Sequence, residues 1–113
     1  MTERARKYLL DILRAADLIS QYTQSIPNLA AYEAAGNELV RDAVERRLAI
    51  IGEAVNEYRR EPGSPELADA RKIVELRNRL VHAYDSAEQS IIWSIVKRHL
   101  PTLRAEVNAL LAA

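Results

Sequence analysis

The stretch from Asn37 to Arg60, NELVRDAVERRLAIIGEAVNEYRR, decides the fold class of this chain. Its apolar residues recur every three or four positions, which is the spacing that places them on one face of an α-helix. We predict that Asn37 caps this helix. The predicted inner face consists of Val40, Val44, Leu48, Ile51, Val55 and Tyr58. Gly52 lies mid-helix, where it costs about 1 kcal/mol relative to alanine, so we expect another backbone to approach closely there.

The segments before this stretch are also helical in pattern. A long helix is predicted from an N-cap at Thr2 to a stop before Pro27, because an apolar stripe at helical spacing runs through it. A short helix from Leu29 to Ala35 should follow, closed by Gly36 in the left-handed conformation that glycine favours at helix ends.

The segments after it complete an all-α pattern, because no segment shows the alternation of period two that marks a strand. Beyond the break at residues 62–65, Ser64 can cap and Pro65 can open a helix over residues 66–82, with or without a kink near Asp69. Residues 86–89 match a capping box for the next helix, and Pro101 should begin or bend the last one. We therefore expect one all-α domain over residues 1–113, an up-down bundle of four to five helices.

Composition narrows the function classes. Sixteen basic and sixteen acidic residues cancel, so the chain lacks the broad positive field of a protein that coats nucleic acid, and any RNA contact should be local. The absence of cysteine removes disulfides and thiolate metal sites and fits a reducing cytosol. No apolar run is long enough to span a membrane and the first residues do not resemble a signal peptide, so we expect a cytoplasmic protein.

The octapeptide from Arg77 to Tyr84, RNRLVHAY, concentrates groups suited to phosphate chemistry. A guanidinium can hold a phosphate through two hydrogen bonds, an imidazole can move a proton near neutral pH, and a phenol can be modified. Arg77 occupies the helix position that would complete the apolar stripe. It must therefore pair with a carboxylate such as Glu53, line a wet groove, or face a partner subunit.

His82 should lie on the other side of that helix, together with Asn78 and Arg79. On a straight helix Arg77 and His82 point about 140° apart, so they would flank a groove. Either the helix unwinds near His82, or a two-fold axis brings the motif of a second chain opposite. A symmetric homodimer would also supply two histidines, one as base and one as acid for RNA cleavage.

The order Arg-Asn-x3-His-x-Tyr resembles the signature of HEPN-domain ribonucleases of the HepT toxin class. Residues 43–48 with the segment Ile50–Ala54, and residues 93–96 with 100–103, resemble other helices of that class, so the similarity spans nearly the whole chain. The resemblance implies a homodimeric HEPN bundle that cleaves RNA without a metal or cofactor, as the toxin of a type VII toxin–antitoxin system.

The resemblance also assigns roles within the motif. Arg77 and His82 would be catalytic, and Tyr84 would be adenylylated by a cognate minimal nucleotidyltransferase, the antitoxin. A bulky AMP anion there would occupy and neutralise the phosphate site. From its position four residues before His82, Asn78 can orient the imidazole, touch the phosphate or be an ordinary solvated residue. Arg79 is interpreted as a solvated or RNA-contacting charge.

Two other hypotheses remain open. The chain can instead be a non-catalytic HEPN module in which Arg77 and His82 bind a nucleotide or a protein, or a purely structural bundle. His99 we interpret as a favourable charge near a helix C-terminus, with no catalytic role.

Overall fold

In the computed structural model, which describes residues 1–82 and 88–113 and gives only the backbone at 80–82, the chain is helical. The helices are α1 (Glu3–Thr23), α2 (Leu29–Glu33), α3 (Glu38–Arg60), α4 (Ala70–His82), α5 (Gln89–Ser94) and α6 (Leu100–Ala112). A 3₁₀ turn (Ala35–Asn37) precedes α3, and a π-helical turn (Ile95–His99) joins α5 to α6. No strand occurs in the described residues, and the all-α prediction is confirmed.

The core lies between the two long helices and is closed by the shorter ones. Helix α3 packs on α1 on one side and on α4 on another, while α6 packs on α1 and α5 packs on α2. The fully buried large side chains of the core include Leu9, Ile12, Ile19, Tyr32, Leu48, Ile51, Tyr58, Ile73, Ile92 and Leu103. The face predicted for α3 is the observed one, with its first member, Val40, only partly buried. None of the described helices is long and apolar enough to cross a membrane.

The start of α1 is capped as predicted. The backbone N–H of Ala5 donates to the Thr2 hydroxyl oxygen at 3.0 Å, which satisfies one of the free N–H groups at the helix start. The same hydroxyl donates to the Glu61 carboxylate at 2.8 Å. The cap therefore also ties the beginning of α1 to the end of α3.

The connection before α3 differs from the prediction. Gly36 lies within the 3₁₀ turn, and Gly63 is the glycine with a positive φ (72°) in the described chain, so the predicted left-handed cap at Gly36 is wrong. Asn37 does precede α3, but its side chain makes no cap hydrogen bond there and donates to the Ala31 carbonyl at 2.8 Å.

Helix α4 begins at Ala70, so the predicted start at Ser64 and Pro65 is also wrong. The buried Tyr58 hydroxyl donates to the Pro65 carbonyl at 2.6 Å, and the Ala68 N–H donates to the Glu106 carboxylate at 3.0 Å. These bonds use backbone groups that an earlier helical turn would need, so the segment stays irregular. Burial raises the pKa of Tyr58, and the negative charge of Glu106 adds to this rise.

Helix α5, the π turn and α6 form one continuous rod. Pro101 lies in the first turn of α6 and does not start a separate helix. A proline clashes with the carbonyl four residues earlier, here at Lys97, and the wider π turn at that point relieves the clash. His99 therefore lies inside a rod that runs to Ala112, and its interpretation as a charge at a helix C-terminus is wrong. The proposed capping residue Ser86 lies outside the described residues.

Candidate active site

Arg77 lies directly over Gly52, where α4 crosses α3. A Cβ atom added at Gly52 would overlap the Cβ of Arg77 and would lie 3.3 Å from the carbonyl oxygen of Ile73. Only a residue without a side chain lets the two helices approach this closely. The close approach predicted at Gly52 is confirmed, and the group that approaches includes the stem of the motif arginine.

The guanidinium of Arg77 is held at both ends. Nη2 lies 2.5 Å from Oε2 of Glu53, and Nη1 donates to Oδ1 of Asn78 at 3.2 Å. The Arg77 side chain is 25% exposed and that of Glu53 is 52% exposed. The carboxylate partner considered from sequence is thus the observed one. Because a guanidinium has five N–H donors, two contacts leave others for a phosphate that arrives from solvent.

Asn78 and Arg79 lie on a different side of α4 and line a groove between α4 and the rod. This groove, which we call the α4–α5 groove, has a volume of about 790 Å³. Its α4 wall consists of Lys72, Glu75, Leu76, Asn78 and Arg79. Leu76 is buried and forms part of the floor, whereas the charged side chains stand exposed at the rim. Asn78 therefore connects two places, because it accepts a hydrogen bond from Arg77 and also faces the groove.

The rod supplies the opposite wall of the α4–α5 groove. It contributes Ser90, Ile91, Ser94, Ile95 and His99. The ring Nδ1 of His99 lies 3.6 Å from Oδ1 of Asp69, just before α4, and both side chains are less than a quarter exposed. This separation exceeds a hydrogen bond, so the two groups attract by charge when the imidazole is protonated.

Sequence reasoning missed the role of His99 at this wall. Ile91, Ile95 and His99 are spaced four apart, a signal that they share one face of a helix. The partner Asp69 carries no comparable signal, because it lies thirty positions away along the sequence.

A partly buried polar cluster lies at the beginning of α5. Tyr32 is fully buried, its ring lies 5.0 Å from that of Trp93, and burial, followed by the charge of Glu45, raises its pKa. The pKa of Glu45 is itself raised, mainly by burial and then by the charge of Asp42, while the side chain of Gln89 opposes the rise. The cluster joins α2, α3 and α5, so we assign it to structure and not to catalysis.

The remaining motif residues lie partly or wholly outside the description. The backbone of His82 ends α4, but its side chain, and all of Tyr84, lie outside the described residues. Their roles therefore stay predictions. Among the side chains that the structure describes, no group of three or more His, Cys, Asp or Glu residues is placed to hold a metal ion.

Comparison with known proteins shows the family to which the chain belongs. A family model described as "Ribonuclease HepT-like" matches residues 12–110. A Methanocaldococcus jannaschii protein named "Putative RNase MJ1380" is 35% identical over 108 residues, which cover 91% of this chain and 93% of that protein. A Thermococcus cleftensis protein named "Probable ribonuclease HepT" is 31% identical over 114 residues, covering 97% of this chain and 98% of that protein. No solved structure matches significantly. The chain belongs to the HepT-like ribonuclease family.

Proposed function

We propose that this chain is a metal-independent endoribonuclease, the toxin of a HepT-type (type VII) toxin–antitoxin pair. The observation that supports this most is the arrangement of Arg77, whose stem lies on Gly52 and whose partly exposed guanidinium is held by Glu53 and Asn78. Membership of the family and the ribonuclease names of its relatives support the same activity.

The chemistry requires a base, an acid and a cation. The base takes the proton of the ribose 2′-hydroxyl, whose oxygen attacks the adjacent phosphorus. The bond from phosphorus to the 5′-oxygen breaks, the acid protonates that oxygen, and the products are a 2′,3′-cyclic phosphate and a 5′-hydroxyl. In this proposal His82 is the acid or base, and Arg77 stabilises the charge that develops on the phosphorane. Asn78 orients these groups, and Arg79 contacts the RNA.

A homodimer completes the catalytic set. One motif contains one histidine, whereas this cleavage needs two proton-transfer groups. A two-fold axis through the motif helices would bring two copies of His82 and of Arg77 to one phosphodiester. The specific activity should therefore fall on dilution with the same midpoint as dimer dissociation, measured by light scattering. Constant specific activity across that dissociation would exclude a composite site.

Regulation would act on Tyr84. We propose that a cognate minimal nucleotidyltransferase attaches AMP to its phenol oxygen, which places an anion beside the phosphate-binding cations and blocks RNA. Co-expression with such an enzyme should add one AMP to the wild type and none to Tyr84→Phe, as measured by intact mass. A Tyr84→Phe protein that is still modified would move the modification elsewhere.

The central experiment is RNA cleavage by purified protein in the presence of a chelator. Wild type should release fragments with cyclic-phosphate ends, and His82→Ala should not. His99→Ala is not a suitable control because His99 lines the groove, whereas Arg98→Ala changes an exposed neighbour. Equal cleavage by wild type and His82→Ala would identify a contaminating nuclease and remove the proposal.

A second candidate is a non-catalytic module that binds a nucleotide or a protein through the same residues. The ion pair with Glu53 favours it, because a guanidinium already paired with a carboxylate has less charge to offer a transition state. Binding without any cleavage by the unmodified protein would select this alternative.

A further inference from the structure

We propose that the α4–α5 groove binds one nucleotide of the RNA, next to the phosphate held by Arg77, and that His99, positioned by Asp69, recognises it. The proposal deepens the proposed ribonuclease function and rests on it for the identity of the ligand. It names a binding subsite outside the Arg77–Tyr84 octapeptide.

The size and lining of the groove suit a nucleotide. A volume of about 790 Å³ lies within the range of small-ligand sites, about 300–1,000 Å³. The partly exposed Ile91 lines the groove together with the buried Leu76 and Ile95, and these side chains offer an apolar surface for the flat face of a base. The exposed cations Lys72 and Arg79 at the rim can contact phosphates. A free phosphate would gain nothing from such an apolar surface, so the combination points to a nucleoside with its phosphate.

The position of Asn78 joins this groove to the candidate active site. Its amide oxygen accepts from Nη1 of Arg77, and the same residue lines the groove. A phosphate at Arg77 and a nucleoside in the groove are then neighbours along one RNA strand. This continuity favours RNA over an unrelated small molecule as the occupant.

His99 supplies the polar recognition. Because Nδ1 faces Asp69, the other ring nitrogen is the one left for a ligand in the groove. The hydroxyl of Ser94, five residues earlier on the same wall, can bond a ribose hydroxyl or a base edge. The π turn at 95–99 sets the direction of His99 relative to Ser94, and such turns are frequent at functional sites.

The test uses an RNA that cannot be cleaved. A fluorescein-labelled 2′-O-methyl oligoribonucleotide lacks the attacking hydroxyl, so its dissociation constant is independent of whether the protein is a nuclease. Ser94→Tyr, which fills the groove, should raise that constant by about tenfold, the worth of one lost base contact. Its matched control is Ser20→Tyr, which places the same side chain in a second, smaller cavity between α1 and the rod and should leave the constant unchanged.

A second variant guards against misfolding. His99→Gln keeps a polar side chain and should also weaken binding, whereas Arg98→Gln at the exposed neighbouring position should not. In ¹H–¹⁵N spectra, a ribonucleoside 3′-monophosphate should shift the amides of Ser90, Ser94 and His99. Inorganic phosphate alone should not reproduce these shifts.

The outcomes separate the two proposals. Folded Ser94→Tyr and His99→Gln that bind the oligonucleotide like wild type would overturn the groove proposal, even if the protein cleaves RNA. Nucleotide-induced shifts at the groove in a protein that cleaves no RNA would support the groove proposal and contradict the nuclease proposal. Shifts confined to other surfaces, or equal shifts with phosphate alone, would also overturn the groove proposal.

Discussion

Gly52 of α3 contacts the side-chain stem of Arg77 of α4, and the stem occupies this position only because Gly52 has no side chain. Any Cβ at position 52 must push Arg77 away from α3. The guanidinium contacts with Glu53 and Asn78 depend on the same placement. One glycine thereby links helix packing to the candidate active site.

Gly52→Ala should destabilise the fold and reduce RNA cleavage together. Alanine gains about 1 kcal/mol in helix propensity, but forced overpacking against α4 costs about 1–3 kcal/mol, so we expect a net loss of stability. Thermal melting and cleavage assays measure the two effects. Gly36→Ala is the matched control, because a Cβ there meets no atom within 4 Å. A Gly52→Ala protein with unchanged stability and activity would contradict the packing role.

Arg77→Met should separate activity from folding. Methionine keeps an unbranched stem over Gly52, and the lost ion pair with the half-exposed Glu53 is worth about 0–1 kcal/mol. We expect the free energy of unfolding to stay within about 1 kcal/mol of wild type, while kcat falls by at least about a hundredfold. Denaturant titration and cleavage kinetics check this. Full activity of a folded Arg77→Met would leave the arginine a structural residue only.

Glu53→Gln tests whether the carboxylate positions Arg77. The amide is isosteric but holds the guanidinium more weakly, so we expect kcat to fall about tenfold, equivalent to about 1.4 kcal/mol, with KM unchanged or lower. Glu57→Gln, one turn further along α3, removes a carboxylate bonded to Arg60 and serves as the control. If KM rises while kcat stays constant, or if both variants behave alike, Glu53 does not act through Arg77.

Glu45→Gln should change how stability depends on pH. The folded pKa of Glu45 lies above its usual value of 4.5, because burial disfavours the charged form. Between 4.5 and that raised pKa the native state binds more protons than the unfolded state, so wild-type stability falls as pH rises through this window. Glu45→Gln removes this loss and should be the more stable protein above the window. Urea titrations across pH measure it, with exposed Glu33→Gln as control; an unchanged pH profile would contradict the prediction.

The parts of the fold that follow local rules could be predicted. Thr2 caps α1, and the face of α3 from Val44 to Tyr58 is buried, both as predicted. A helix cap and the spacing of apolar residues along a helix each depend on a few nearby residues, so both can be read from the sequence. The start of α4 could not be predicted in this way. The Pro65 carbonyl accepts from the Tyr58 hydroxyl, and no local pattern encodes that contact.

The candidate site also contains one part that could be predicted from the sequence and one part that could not. Helix spacing places Arg77 at a buried position, and the cost of an unpaired buried charge suggests a carboxylate partner such as Glu53. His99 and Asp69 come together only because α4 packs beside the rod, which the sequence pattern does not show. The π turn that orients His99 likewise leaves no recognisable pattern in the sequence.

The π turn at Ile95–His99 also makes two ends of one rod face different neighbours. Its extra residue offsets α6 from α5 by about 100° relative to an uninterrupted α-helix. Ile92 can then point toward α2 while Leu103 and Val107 point toward α1. An inserted amino acid usually rotates the apolar residues that follow it away from the core. Here the extra residue instead rotates Leu103 into the core, and deleting one residue from the turn would expose Leu103 to water.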